Sequence, residues 1–264
     1  MDRFFERLNQ DFGRWGDIIP LEELFTHSFS PFKFVIDKGF LRGNTRLVFS
    51  VCSEEVNRLR ERKTIEHALV NTLGEPFYIR TLAAYPIGDD SGNGVLTPLI
   101  QEFRENNAQK VNNIIFFLSP HVGLTLGNEI RYGYLYNSSQ TELTTCCEII
   151  MDFLKGLRHL QKIEDTPHFH IDSSDSMKNL VYNKLWETYK EEIMQNLHSQ
   201  DINMTIIKIS VLHYELIMRK FKEIIPLFLT NYNFDGEYAV IGGITINTRD
   251  TDYFVFRDYT FNSF

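Results

Sequence analysis

Cysteine is scarce: three residues in 264, two of them adjacent, cannot make a disulfide framework. Basic charge is also short. Twenty-seven Lys and Arg stand against 35 Asp and Glu, a net charge of -8, whereas a nucleic-acid partner normally needs a basic face to displace counterions from phosphates. No uninterrupted apolar run approaches the roughly 18 residues that mark a membrane-crossing helix. The N-terminal stretch MDRFFERLNQDFGRWGD is charged throughout and lacks the apolar centre of a signal peptide. Internal repeats and low-complexity linkers are missing too. The expectation is a reduced, soluble, cytoplasmic protein (organellar if the chain is a processed form), with no nucleic-acid partner and no membrane association.

What is present is aromatic. Twenty-two Phe and twelve Tyr sit in a chain that is 43% hydrophobic and 23% charged, the balance of an ordinary globular protein. A chain this long can bury roughly 70–75% of the surface its unfolded form exposes. Residues 1–13 carry Phe4, Phe5, Leu8 and Phe12 at helical spacing, and residues 1–20 read as an N-terminal helical extension. Residues 21–264 read as a single α/β domain. TRLVFSVC, rich in β-branched and aromatic residues, predicts a buried strand. SEEVNRLRERKTIEHALVNTLG predicts the helix after it, with Ser53 as N-cap and Gly74 closing it. NNIIFFLSPH predicts a second strand, and TTCCEIIMDFLKGLRHLQKI a helix opened by Thr. Apolar strands alternating with helices imply a mostly parallel central sheet flanked by helices on both faces. The second half predicts helices at about 176–198 and 202–230. EYAVIGGITINT and DYFVFRDYTF then predict two closing strands around a Gly-containing turn.

Cys52 falls at the C-terminal end of one predicted strand, His121 at the end of another, and Cys147 in the first turn of a predicted helix. The crevice outside the carboxyl ends of strands is where open α/β sheets bind ligands. Two thiolates and an imidazole suit zinc, and three protein ligands leave the fourth position open, as catalytic sites do. The helix terminus favours the thiolate form of Cys147. Cys146 and Cys147 are neighbours, so one of them reaches a metal. Spacing alone leaves two readings open, a zinc site or buried core cysteines beside an ordinary loop histidine.

SVCSEEVNR, SPHVGLTLGNEI and CCEII, in that order, together with LAAYPIGDDSG and YAVIGGITINT, resemble the limiting-CO2-inducible B/C proteins, the theta class of carbonic anhydrases. The resemblance runs from about residue 20 to 260. It implies a β-carbonic-anhydrase-like α/β fold, usually a homodimer, with Zn²⁺ held by Cys52, His121 and Cys147. It implies CO2 and bicarbonate as substrate and product. The family's acid–arginine pair matches Glu54 and Arg58, which are i,i+4 neighbours if helical. Glu stands at 54 where the family usually has Asp, Glu148 where it usually has Gly after the cysteine, which is expected to put a carboxylate near the site, and Ala84 where it usually has Gly.

On that resemblance the expected reaction is the reversible hydration of CO2. Glu54 and Arg58 would orient the attacking group, and Phe77, Leu82 and Tyr85 would form an apolar wall for CO2. His168 and His170 lie in a polar loop and are candidates for moving the proton away, against the plainer reading of exposed bystanders. Two other functions stand beside this one. A non-catalytic relative could bind inorganic carbon or serve assembly, and Cys146 with Cys147 could sense redox state.

Overall fold

The computed structural model describes residues 2–52, 63–79, 81–86, 97–101, 103, 111–127, 129–136, 143–163, 165, 167, 169, 176–197 and 201–262. Glu54, Arg58, His168 and His170 lie outside the described residues, as does Ser53.

Among the described residues, an eight-stranded mixed sheet organises the fold. Its centre is parallel: β3 (Pro76–Tyr78), β2 (Thr45–Val51), β6 (Asn113–Ser119) and β11 (Glu237–Asn247) lie side by side in that order. Beyond β11 the order continues with antiparallel β12 (Asp252–Asn262) and then β1 (Asp17–Pro20). After β6 the chain passes Pro120, which has no N–H to give a ladder, and resumes pairing with β11 as β7 (His121–Leu126). The register with β11 runs through without slipping, Gly242 against Leu118 and Thr245 against His121. β7 then turns back into β8 (Ile130–Tyr132). Strands β9 (Tyr134–Tyr136) and β10 (Leu143–Thr145) form a separate antiparallel pair.

Residues alternating along the central strands face two different helix layers. Leu47, Phe49, Ile115, Phe117, Ile241 and Phe254 meet α2 (Pro31–Asp37) and α3 (Ile65–Leu73). Here the aromatic content packs edge to face, with Phe117 5.7 Å from Phe32 and 5.5 Å from Phe49, centroid to centroid. On the opposite face Val48, Phe116, Leu118, Val240 and Ile244 meet α1 (Arg3–Phe12), α4 (Glu148–Leu157), α5 (Ser176–Leu197) and α6 (Ile202–Tyr232). Helix α6 is buried along most of its length and lies close on β11: a Cβ at Gly242 would stand 2.2 Å from the Tyr214 hydroxyl.

The α/β sheet with helices on both faces matches the expectation, and so do the two long helices of the second half. Four local expectations are corrected. The helical segment at the N-terminus ends at Phe12, and residues 17–20 join the sheet as β1 because Ile18 and Ile19 are buried against β12. The helix expected from Ser53 to Gly74 is not continuous: residues 53–62 lie outside the described residues, Lys63 bridges to Thr251, Thr64 is extended, and Thr64 caps a helix that runs Ile65–Leu73 and closes at Gly74. Helix α4 is capped at Cys147 rather than a threonine, because Thr144 and Thr145 are spent in β10. Finally, Gly242 and Gly243 do not form the turn between the closing strands. They sit inside β11 at a register shift, and residues 248–251 make the turn.

Candidate metal centre

Parallel strands end together, and three ends bring the site residues to one place. Cys52 follows β2 directly, His121 follows β6 across Pro120, and Asn247 is the last residue of β11. Cys147 arrives from the other direction, at the N-terminus of α4. Its approach depends on Gly123, whose N–H donates to the Cys146 carbonyl at 2.7 Å. A Cβ on Gly123 would lie 2.7 Å from the Tyr134 carbonyl and 3.0 Å from the Cys146 Cβ. The glycine two residues after the histidine is therefore what lets the cysteine pair come alongside β7.

One donor atom each of Cys52, His121 and Cys147 lies within 4.8 Å of the others, and all three residues are buried. The two sulfurs are 4.0 Å apart. Metal–sulfur bonds of about 2.3 Å meeting at a tetrahedral angle place two sulfurs about 3.8 Å apart, so this separation suits one shared zinc. Electrostatics point the same way. Burial disfavours a charged His121, yet the neighbouring sulfurs of Cys146 and Cys52 hold its pKa well above the ordinary value. The pocket favours a cation. Both the donor set and its spacing fit Zn²⁺.

The other side of His121 is organised as well. Its Nδ1 is 2.6 Å from Asn247 Oδ1, and Asn247 Nδ2 donates to Asp252 Oδ1 at 3.0 Å. Cys146 Sγ lies 3.5 Å from both His121 Nδ1 and Asn247 Oδ1. The adjacent cysteines thus face different sides of the imidazole, Cys147 toward Cys52 and Cys146 toward Asn247. Asn247 and Asp252 were not legible as site residues from sequence; the signal that could have found Asn247 is its place at a third parallel-strand end.

A short hairpin stands over the end of β2. Strands β4 (Thr81–Leu82) and β5 (Tyr85–Pro86) are joined by Ala83 and Ala84, both with positive φ. Thr81 Oγ1 donates to the Val51 carbonyl at 2.6 Å, and Ser50 Oγ to the Ala84 carbonyl at 2.8 Å. From α6, the buried His213 donates through Nε2 to the Ala83 carbonyl at 2.7 Å. Burial depresses the His213 pKa, so the ring is neutral. Of the expected CO2 wall, Tyr85 is buried in the same apolar cluster as Cys52 and Cys147, and half-buried Leu82 and Phe77 pack against that cluster. Glu148 lies elsewhere: its side chain is 58% exposed and pairs with Lys178 at 3.6 Å. The expectation that it adds a carboxylate to the site is corrected, because the first turn of α4 carries it to the surface.

Among the described residues, no helix is long and apolar enough to cross a membrane. No curated protein matches the chain in sequence. Among the solved structures that match its fold are PtLCIB4, a homolog of the limiting CO2-inducible protein LCIB, at 20% identity and TM-score 0.74, covering 98% of this chain and 95% of that one, and LCIB, at 15% identity and TM-score 0.65, covering 98% and 95%. The family model for limiting CO2-inducible proteins B/C, β-carbonic anhydrases, matches residues 33–262. With nearly the whole fold and sequence inside that match, the chain belongs to the limiting-CO2-inducible B/C family of carbonic-anhydrase-like proteins.

Proposed function

We propose that the protein is a zinc-dependent carbonic anhydrase, interconverting CO2 and bicarbonate. The observation that carries the reading is the buried convergence of Cys52, His121 and Cys147 at the carboxyl ends of the parallel strands. Zinc held there supplies a Lewis acid that lowers the pKa of water from about 15.7 toward 7. The Cys52 and Cys147 thiolates and His121 Nε2 hold the ion, and Asn247 takes the hydrogen of Nδ1. Tyr85, with Leu82 and Phe77, offers CO2 an apolar wall beside the ligands. Glu54 and Arg58 enter through the family pattern, as the pair that orients the attacking group and keeps the carboxylate off the metal. The homodimer implied by the family is part of the same proposal.

A second reading keeps the fold and metal without catalysis, as an inorganic-carbon-binding or assembly protein, and the extra methylene of Glu54 is what favours it. Oxygen-18 exchange between labelled CO2 and water decides between them, using purified protein with zinc supplied and Cys52→Ser as control. Exchange above background that vanishes in the control is the expected outcome. No exchange from a protein holding one zinc per chain would sink the catalytic reading and leave the second, with Glu54→Asp as the variant that tests whether the shorter acid restores turnover.

A further inference from the structure

Three buried hydrogen bonds in series lead away from His121 and end on a helix. The Ile65 N–H, at the start of α3, donates to Asp252 Oδ2 at 3.1 Å. Asp252 Oδ1 accepts from Asn247 Nδ2, and Asn247 Oδ1 faces His121 Nδ1. Direction is imposed from the helix end. A carboxylate accepts only, so the Asn247 amide must turn its NH2 toward Asp252 and its oxygen toward His121. That oxygen accepts only, so His121 carries its hydrogen on Nδ1, which leaves Nε2 as the basic nitrogen. Asp252 itself is fixed in the turn by the Thr248 hydroxyl bonded to the Thr251 carbonyl at 2.6 Å, with Lys63 bridged to Thr251 beside it. The side chains are almost fully enclosed, Asn247 at 0% and Asp252 and His121 at 1% exposure.

We propose that Asn247 and Asp252 are positioning residues for the metal ligand His121, selecting its tautomer and ring orientation through the series Ile65–Asp252–Asn247–His121. The inference rests on the zinc reading above. The buried carboxylate polarises the amide, and the amide oxygen in turn makes the imidazole a stronger donor to a metal.

The test is zinc affinity, by competition with a fluorescent chelator, and the visible and near-ultraviolet bands of the cobalt(II)-substituted full chain. Asn247→Ala is expected to weaken zinc binding about 10–100-fold and to shift the cobalt bands. Asn247→Asp alone also weakens it, because two carboxylates then face each other. Combining Asn247→Asp with Asp252→Asn restores every bond: the acid at 247 accepts from His121 and from the amide at 252, whose oxygen accepts from Ile65. Affinity and cobalt bands return close to wild type in the double variant. A change in packing alone lowers thermal stability in the single variants without moving the cobalt bands.

Folded Asn247→Ala with wild-type affinity and bands overturns the proposal. Should that variant fail to fold, a double variant that folds but binds zinc no better than Asn247→Asp overturns it equally. A wild-type chain that binds neither zinc nor cobalt overturns the metal reading itself, and this inference with it. A wild type that binds both, beside indifferent variants, overturns this inference alone.

Discussion

Cys52 and Cys147 stand 95 residues apart in sequence and face each other in the fold, their sulfurs 4.0 Å apart and both buried. Cys146, next in the chain to Cys147, instead lies 3.5 Å from His121 Nδ1. The two serine substitutions at the facing pair should therefore act alike and differ from the third. After dialysis against a chelator, Cys52→Ser and Cys147→Ser are expected to retain almost no zinc, while Cys146→Ser retains about one ion per chain. Elemental analysis reads the ratio. Equal retention in all three would remove the facing pair from the ligand set.

Gly123→Ala tests how the cysteine pair is placed. A methyl group there meets two backbone atoms of Tyr134 and the Cys146 Cβ at 3.0 Å or less, so β9 and the Cys146–Cys147 segment must retreat from β7. Overpacking of this kind costs about 1–3 kcal/mol, and here the retreat also separates Cys147 from Cys52. The expected result is a fall in zinc affinity of at least tenfold along with the loss of stability. Destabilisation in urea with zinc affinity intact would show that the segment can yield without moving the sulfur.

The Ala83–Ala84 turn holds its backbone in the left-handed region, φ 50° and 66°, where a Cβ costs about 1–2 kcal/mol. Glycine at 84 relieves that cost and adds about 0.5–1 kcal/mol of chain entropy to overcome. Ala84→Gly is thus expected to stabilise the protein by about 0.5 kcal/mol, measured as a higher urea midpoint. His213→Leu should do the opposite, by about 1–3 kcal/mol, since the Ala83 carbonyl loses its buried donor.

Stability should fall at both ends of the pH scale for separate reasons. Burial depresses the His213 pKa; below about 6.5 the unfolded chain takes up a proton that the folded one refuses, so stability declines as pH falls. Burial, reinforced by Asp11, raises the Tyr132 pKa, and burial with Asp258 raises that of Tyr214. Above about 10 the unfolded chain releases protons that the folded one keeps, so stability declines as pH rises. Each group contributes a slope of up to about 1.4 kcal/mol per pH unit. Urea midpoints from pH 5 to 11 should flatten on the acid side in His213→Gln and on the alkaline side in Tyr132→Phe.

Local pattern made the long elements legible. The runs TRLVFSV and NIIFFLS declare buried strands, and two helices expected at 176–198 and 202–230 form as Ser176–Leu197 and Ile202–Tyr232. Where the reading missed, a distant partner had overruled the local signal. Four residues, Asp17–Pro20, become a strand only because β12 is there to pair with, and the glycines of β11 make room for neighbours rather than a turn, Gly242 for Tyr214 and Gly243 for Val255 and Phe254. Strand ends and soft donors made Cys52, His121 and Cys147 visible as candidates, but spacing left buried core cysteines equally open, and the family resemblance chose between the two readings. Asn247 and Asp252 were not visible, since an asparagine ending one strand and an aspartate opening the next carry no mark of the histidine 126 residues away that Asn247 meets.

The near-complete enclosure of Cys52, His121 and Cys147, at 2%, 1% and 1% exposure, has a consequence in time rather than in affinity. Bulk chelator cannot attack donors it cannot touch, so an ion seated among them departs only when the surrounding structure opens. Exchange is then governed by the frequency of local opening, and loading is fastest before the strands and α4 close. On the zinc reading proposed above, the folded chain should keep the metal it was given when it folded, long after the surrounding solution has changed.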